Sequence, residues 1–385
     1  MKLYNSDPSR KTAEIKPSFL IILIATLVLL VTLTISLFVV MYLEKNASSE
    51  PDFGGNRGGN RQTQSTTDPS VPAGNLNTTP LYPTKETRTS YKISTGSDVV
   101  KLTDDTFITS NNTVLVKVGA NSLTSVVEKS ADTKMYPASM TKVMTLLVAC
   151  ERVTDLDTML TITEEHIDYA TKSGGGSSFF GIGDPELAGE KVSVRDALYL
   201  ISYKSDTLSC LLIADHIAGS QDAFVQLMNQ KAKAIGLTGT NFVNCTGLYN
   251  ENHYSTCKDI ASIMAYAMDN ELAKSILFST KTYTFQSDKF YTAKDPTKKV
   301  TYYLTYPDWY GAAKRFNKNN KLDTVTVIAG KTGYVEESGI SLVSVAEAAD
   351  GTLYINVIVG KPKGSGLTED ISTDEVKKIY NTYAK

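Results

Sequence analysis

The chain has 385 residues, with 39 Lys and Arg against 41 Asp and Glu and a formal net charge of -2, so no basic surplus points to nucleic acid as a partner. Its content, 42% hydrophobic and 21% charged, is that of a globular protein with room for one large domain or two modest ones. Its three histidines (His166, His216, His253) and four cysteines (Cys150, Cys210, Cys245, Cys257) show no metal-ligand spacing, which argues against a zinc hydrolase and leaves no metal or cofactor to expect.

Residues 1–16 carry Lys2, Arg10, Lys11 and Lys16 and form a short tail ahead of residues 17–43, which hold no charged residue. About 20 apolar residues suffice to cross a bilayer. The basic flank comes first, predicting a cytoplasmic tail and an extracytoplasmic remainder. No small-residue cleavage site follows at Met41-Tyr42-Leu43-Glu44, so 17–43 is expected to stay as a single-pass anchor rather than a signal peptide. Residues 44–92, rich in Gly, Asn, Thr, Ser and Pro, lack the large apolar side chains a core needs and suit a flexible tether.

The folded domain is expected over 93–385. Runs at 114–118 and 126–128 around Ala120-Asn121-Ser122 predict a β-hairpin. Tyr136-Pro137-Ala138-Ser139-Met140-Thr141-Lys142 then leads into the apolar stretch 143–150. Pro137 suits a helix entry, and Met144, Leu147 and Val148 recur at helical spacing. Ser139 and Lys142 are then neighbours on one face. A serine hydroxyl attacks only when a base takes its proton, and a lysine serves if burial or a second cation lowers its pKa. Such pairs arise by chance about once or twice in a chain of this length. Ser255-Thr256-Cys257-Lys258 repeats the spacing, but Tyr254-Ser255-Thr256 ahead of Asp259-Ile260-Ala261 has the pattern of a helix cap.

Thr161 to His166 predicts a capped helix start, with Glu164 and Glu165 in its first turn. Gly174-Gly175-Gly176-Ser177-Ser178 is a loop without the Lys-Ser/Thr of a phosphate cradle. Helical periodicity marks 194–202, 208–218, 223–235 and 259–268. Short strands and loops are expected over 271–320, around the only tryptophan, Trp309. Strands follow at 324–329, 341–346 and 353–359, then a helix over 373–383 capped by Ser372 or Thr373. Strands at both ends of a helical middle predict one α+β unit. Cys150 and Cys210 fit small buried hydrophobes. Cys245 and Cys257 could pair, which spacing alone leaves open.

Two further stretches complete a pattern. Ser205-Asp206-Thr207 opens a helix, and Gly330-Lys331-Thr332-Gly333-Tyr334 ends a strand with the only Lys-Thr-Gly in the chain. This ordered set resembles penicillin-binding proteins and serine β-lactamases, and among them the D-alanyl-D-alanine carboxypeptidases. The likeness runs over roughly 107–362 and includes Ala214-Asp215-His216-Ile217-Ala218-Gly219-Ser220, Phe242-Val243-Asn244-Cys245-Thr246-Gly247-Leu248 and His253-Tyr254-Ser255-Thr256.

The resemblance implies a β-lactamase/transpeptidase-like fold, an antiparallel sheet flanked by helices with a helical lobe and the site between them. It implies Ser139 as acylated nucleophile, Lys142 as its base and Ser205 as proton relay to the leaving amine. Lys331 and Thr332 would hold the substrate carboxylate, Gly333 would let substrate lie close to the strand, and the backbone N–H groups of Ser139 and Tyr334 would form an oxyanion hole. Lys331 near Lys142 would also depress the amine pKa. Thr207 stands where the family usually has Asn, and its shorter hydroxyl puts substrate positioning in question. The anchor also departs: these enzymes commonly pair a signal peptide with a C-terminal membrane helix.

The expectation is a carboxypeptidase anchored in a bacterial cell membrane. It would trim the terminal D-alanine of peptidoglycan stem peptides ending in D-Ala-D-Ala, with β-lactams as inhibitors. The alternatives are a β-lactamase or endopeptidase, which Glu186 keeps open although no deacylating glutamate is otherwise identifiable in the 174–189 loop, and a catalytically silent wall-binding homologue, motivated by Thr207.

Overall fold

A computed structural model describes residues 82–85, 87–103, 108–172, 187–287, 300–304, 322–360 and 370–385. All of these lie in one compact unit, Ser70–Lys385, while a second unit, Met1–Pro69, falls outside them. The expected tail, anchor and most of the tether therefore lie outside the described residues. Among the described residues, no helix is long and apolar enough to cross a membrane.

The strands are β1 (Ile93–Lys101), β2 (Asn112–Val118), β3 (Leu123–Lys129), β4 (Met159–Thr161), β5 (Lys191–Ser193), β6 (Tyr283–Ser287), β7 (Val300–Leu304), β8 (Val325–Val335), β9 (Gly339–Ala348) and β10 (Leu353–Val359). The helices are numbered here α1 (Thr141–Cys150), α2 (Glu164–Lys172), α3 (Val194–Lys204), α4 (Thr207–Ala218), α5 (Gln221–Ala234), α6 (Cys257–Ala267), α7 (Glu271–Leu277) and α8 (Asp370–Tyr383). A six-stranded sheet runs β1-β3-β2-β10-β9-β8, and β4-β5 and β6-β7 form two small ribbons.

The sheet is mixed rather than wholly antiparallel. β2 and β3 form the expected hairpin, whereas β1 lies outside β3 and runs parallel to it. Chain direction reverses at each step from β1 to β2 to β3, so an edge place beside β3 makes β1 parallel. Residues ahead of β1 also pack: Arg88 Nη1 donates to Asp269 Oδ2 at 2.7 Å and Asn270 Nδ2 to the Tyr82 carbonyl at 2.6 Å.

β10 is an almost unbroken apolar run, the mark of a strand covered on both faces. Its period-2 alternation sends Ile355, Val357 and Val359 into one core and Tyr354 and Ile358 into another. α6 covers the first face, packing on β10, β2 and β9. α8 covers the second with Val376, Ile379 and Tyr380. Glu375 of α8 accepts from the backbone N–H and hydroxyl of both Thr109 and Ser110, ahead of β2.

α1 is buried along its whole length and is surrounded by α3, α4, α5, α6 and α7. Truncating Leu146 or Leu147 to Ala would cost about 2–5 kcal/mol through lost transfer energy and the cavity left behind. The four cysteines are free and buried. Cys245 and Cys257 are unpaired and fill core positions, and burial raises the pKa of both thiols.

Within 271–320, α7 is a helix where only strands and loops were expected, with Asn270 capping it by accepting from Ala273 N–H. β6 and β7 lie in the same stretch, and Trp309 lies outside the described residues. α8 begins at Asp370, ahead of the expected Ser372 or Thr373 cap.

Candidate active site

Ser139 does not sit on α1 itself. It lies in a 3-10 turn, Ala138–Met140, that feeds directly into the helix. Ala138 adopts a left-handed backbone, φ 48°, a conformation that costs a residue with a Cβ about 1–3 kcal/mol and persists only where the surroundings enforce it. Two glycines enforce it here. A Cβ on Gly247 would lie 2.0 Å from the Ala138 carbonyl oxygen, and one on Gly333 would lie 3.2 Å from the Ala138 Cβ. Gly247 itself has φ 81°. Asn244 fixes its loop by accepting from the N–H groups of Thr246 and Gly247 at 3.2 and 2.7 Å.

Lys142 is 1% exposed. Its Nζ donates to Ser139 Oγ at 3.0 Å and to the Thr246 carbonyl at 2.6 Å. Burial, and then the Lys331 ammonium, push its pKa below the ordinary lysine value, while the Asp206 carboxylate pulls the other way. A neutral Lys142 keeps an N–H for the Thr246 carbonyl and offers its lone pair to the serine proton. Ser139 is only half-buried, so its oxygen is reachable from solvent.

Lys331, Thr332, Gly333 and Tyr334 form the last part of β8, which ends at Val335, as the expected strand-ending motif requires. β8 is the outermost strand of the sheet and packs against the Ser139 turn. Lys331 is fully buried, with Nζ donating to the Thr332 carbonyl at 3.0 Å. Gly333 pairs with Ser341 on β9, and a Cβ there would meet Ser341 Oγ at 2.5 Å.

Ser205 closes α3 in a left-handed conformation, φ 54°. Asp206 caps α4 by accepting from Ser209 N–H at 2.6 Å, and Thr207 is the first residue of that helix. Ser205 Oγ, Thr207 Oγ1 and Ser341 Oγ are buried without a hydrogen-bond partner among the described residues, a costly state for a hydroxyl.

Sequence reasoning gave His253 no role. Its Nδ1 accepts from Val243 N–H at 3.2 Å, so the proton is on Nε2, which donates to Thr141 Oγ1 at 2.8 Å. Burial, and then Lys142, depress its pKa to about 3, so the ring stays neutral and pins the turn between Ser139 and Lys142. Asn244 and Gly247 were likewise missed as site residues, though an Asn three places before a glycine is a legible turn signal. Glu186 lies outside the described residues.

A mixed sheet covered by helices, with a serine–lysine pair entering the central helix and a second buried lysine on the edge strand, has the architecture of the DD-peptidases. The family model described as D-alanyl-D-alanine carboxypeptidase, peptidase family S11, matches residues 100–363, and the chain belongs to that family. It is 36% identical over 137 residues to D-alanyl-D-alanine carboxypeptidase DacF of Bacillus subtilis, covering 36% of this chain and 33% of the relative. It is 28% identical over 258 residues to DacC of Escherichia coli K12, covering 66% and 56%. The chain thus spans a third to just over half the length of these curated relatives. Penicillin binding protein 5 of Haemophilus influenzae superposes with TM-score 0.57 and 25% identity over 73% of this chain and 72% of that one. The Streptomyces K15 DD-transpeptidase gives 0.56 and 23% over 74% and 98%, a likeness of fold.

Proposed function

We propose that this protein is a membrane-anchored serine carboxypeptidase that removes the terminal D-alanine from peptides ending in D-Ala-D-Ala, the stem peptides of peptidoglycan. The observation that carries the proposal is the 3.0 Å contact between Ser139 Oγ and a fully desolvated Lys142. The family match supports the substrate class.

Lys142, as the neutral amine, takes the Ser139 proton while Oγ attacks the carbonyl carbon of the penultimate residue. The tetrahedral oxyanion is received by the backbone N–H groups of Ser139 and Tyr334. The C–N bond breaks, the leaving amine takes a proton relayed through Ser205, and D-alanine departs. Water then hydrolyses the ester on Ser139 and restores the serine. Lys331 and Thr332 hold the terminal carboxylate, and Gly333 keeps β8 open to the peptide backbone. Thr207 supplies the donor and acceptor that an Asn amide would otherwise provide, over a shorter reach. Residues 17–43 anchor the chain with the enzyme outside the membrane, and 44–92 set its distance from the bilayer.

The test is intact-mass analysis of the detergent-solubilised full chain after exposure to benzylpenicillin, with D-alanine release from a D-Ala-D-Ala peptide followed in parallel. A persistent adduct and D-alanine release, both lost in Ser139→Ala, are expected. Rapid turnover of the penicillin would instead identify a β-lactamase. A folded protein with neither adduct nor release would be a silent binder.

A further inference from the structure

A second concave site lies where α3, α7 and the segment ahead of β1 meet, a cavity of about 250 Å³. Four buried aliphatic side chains, Leu156, Leu198, Leu272 and Ile276, make its base. Tyr82, Tyr199, Arg195 and Glu271 stand around its mouth. Apolar depth with a few polar groups at the opening is the usual make-up of a small-molecule site. Its walls are set in advance. Tyr199 is stacked on Tyr283, ring centroids 3.7 Å apart at an interplanar angle of 6°, and Tyr283 donates to Asp196 Oδ1 at 2.5 Å. Tyr82 is held by the 2.6 Å bond from Asn270 Nδ2 to its carbonyl.

Charge and size narrow the ligand. Both charges at the mouth are already matched: Arg195 Nη2 donates to Asp157 at 3.1 Å, and Glu271 accepts from Lys85 at 2.6 Å. These four groups sum to zero, which favours a neutral ligand over an anion or a cation. Both pairs are exposed, so Arg195 keeps N–H groups and Glu271 an oxygen for a further hydrogen bond. The hydroxyls of Tyr82 and Tyr199 have no hydrogen-bond partner among the described residues. The mouth thus offers donors and acceptors in mixture above an aliphatic base. The volume falls just below the ~300 Å³ at which sites for drug-sized ligands begin, so the occupant is of single-ring size. A neutral ring rich in hydroxyls, with one small apolar substituent, meets all of these terms. An N-acetylated hexosamine is such a ring, with its hydroxyls at the mouth and its acetyl methyl on the base.

The cavity is remote from the nucleophile. α1 has ten residues and is about 15 Å long. Ser139 precedes it, whereas Leu156 follows its other end. Glu151, at that other end, accepts from Thr84, two residues beyond Tyr82, at 2.6 Å. A ligand seated there leaves the active site open.

We infer that the cavity between α3, α7 and Tyr82 binds an N-acetylated sugar ring and holds the domain on a glycan while the active site stays free. This binding goes beyond the carboxypeptidase reading and does not depend on it.

The probe is N,N′-diacetylchitobiose, titrated into the detergent-solubilised full chain and followed by saturation-transfer NMR. Transfer to the acetyl methyl protons is expected. Cellobiose, which lacks the acetyl groups, is expected to bind about fourfold more weakly, the worth of one buried methyl group. Ser275 is exposed on α7 and lines the cavity, so Ser275→Trp is expected to abolish transfer with thermal unfolding unchanged. Tyr199→Phe keeps the stack on Tyr283 and is expected to weaken binding about two- to tenfold, the worth of one hydrogen bond; it decides the matter if Ser275→Trp does not fold. Excess benzylpenicillin is expected to leave the transfer unaltered. No transfer, transfer undiminished in these variants, or equal binding of cellobiose overturns the inference. Displacement by benzylpenicillin overturns it too, by placing the sugar in the catalytic cleft. Binding is read without turnover, so the two readings fail separately. A protein that releases D-alanine but ignores the sugar loses only this inference, and one that binds the sugar but releases nothing loses only the carboxypeptidase reading.

Discussion

Lys142 and Lys258 each follow a serine by three positions, and each is the second residue of its helix, yet their surroundings give them opposite chemistry. Lys258 donates to Glu128 at 3.0 Å and Asp132 at 2.7 Å. Burial lowers its pKa, but the two carboxylates outweigh burial and leave it raised. Its serine is also spent, with Ser255 Oγ 2.8 Å from Thr240 Oγ1, and Thr256 caps the helix through Asp259 N–H. Lys142 donates instead to the Ser139 hydroxyl and the Thr246 carbonyl, and burial together with a second lysine leaves its pKa lowered. The spacing is common to both. What separates the two is deep burial with no carboxylate among the hydrogen-bond contacts of Lys142 described above, against a direct pairing of Lys258 with two carboxylates.

The comparison can be broken most directly at the bases themselves. Lys142→Met is expected to slow benzylpenicillin acylation by about 10³-fold or more, the usual worth of a general base, read by mass spectrometry against time. Acylation persisting at the wild-type rate would remove Lys142 from the mechanism. Lys258→Met is expected to leave acylation unchanged and to cost roughly 2 kcal/mol of stability, between the values for exposed and buried ion pairs, read by denaturant unfolding. Thr207→Asn is expected to raise kcat/KM for D-alanine release about fivefold, the worth of one recovered hydrogen bond. Unchanged kinetics would show that the threonine already suffices.

The smallest effect sharpens the electrostatics. Acylation needs neutral Lys142, so its rate rises with pH through the folded pKa of that amine, below the ordinary lysine value. The Asp206 carboxylate opposes the depression, so Asp206→Asn should move the rising limb to lower pH. Asn remains a good helix cap, which keeps α4 intact while the charge is removed. A limb that stays in place or moves to higher pH would count against this arrangement.

The helices of the middle region were legible because their apolar spacing is regular, as in 208–218 against the observed Thr207–Ala218. The hairpin of β2 and β3 and the strand run β8–β10 were legible for the same reason. α7 was hidden because seven residues give barely two turns of pattern, and its start depends on one Asn cap. The parallel placement of β1 is a property of the assembled sheet, not of its own sequence. At the site, motif order singled out Ser139, Lys142, Ser205 and Lys331, and the first two are in contact at 3.0 Å. The left-handed Ala138 and the neutral His253 depend on contacts between segments about a hundred residues apart, as the Thr141–His253 bond shows, and no local pattern announces them.

The close approach of Gly247 and Gly333 to Ala138 has a consequence for how the protein can evolve. Where a single methyl group would collide with a carbonyl oxygen at 2.0 Å, the floor admits almost no mutational drift. Tyr249 and Tyr334, one or two residues further along the same segments, are half exposed and free to vary. Selection can therefore retune which molecules are admitted by exchanging side chains at the lip, while the reacting groups stay fixed beneath it.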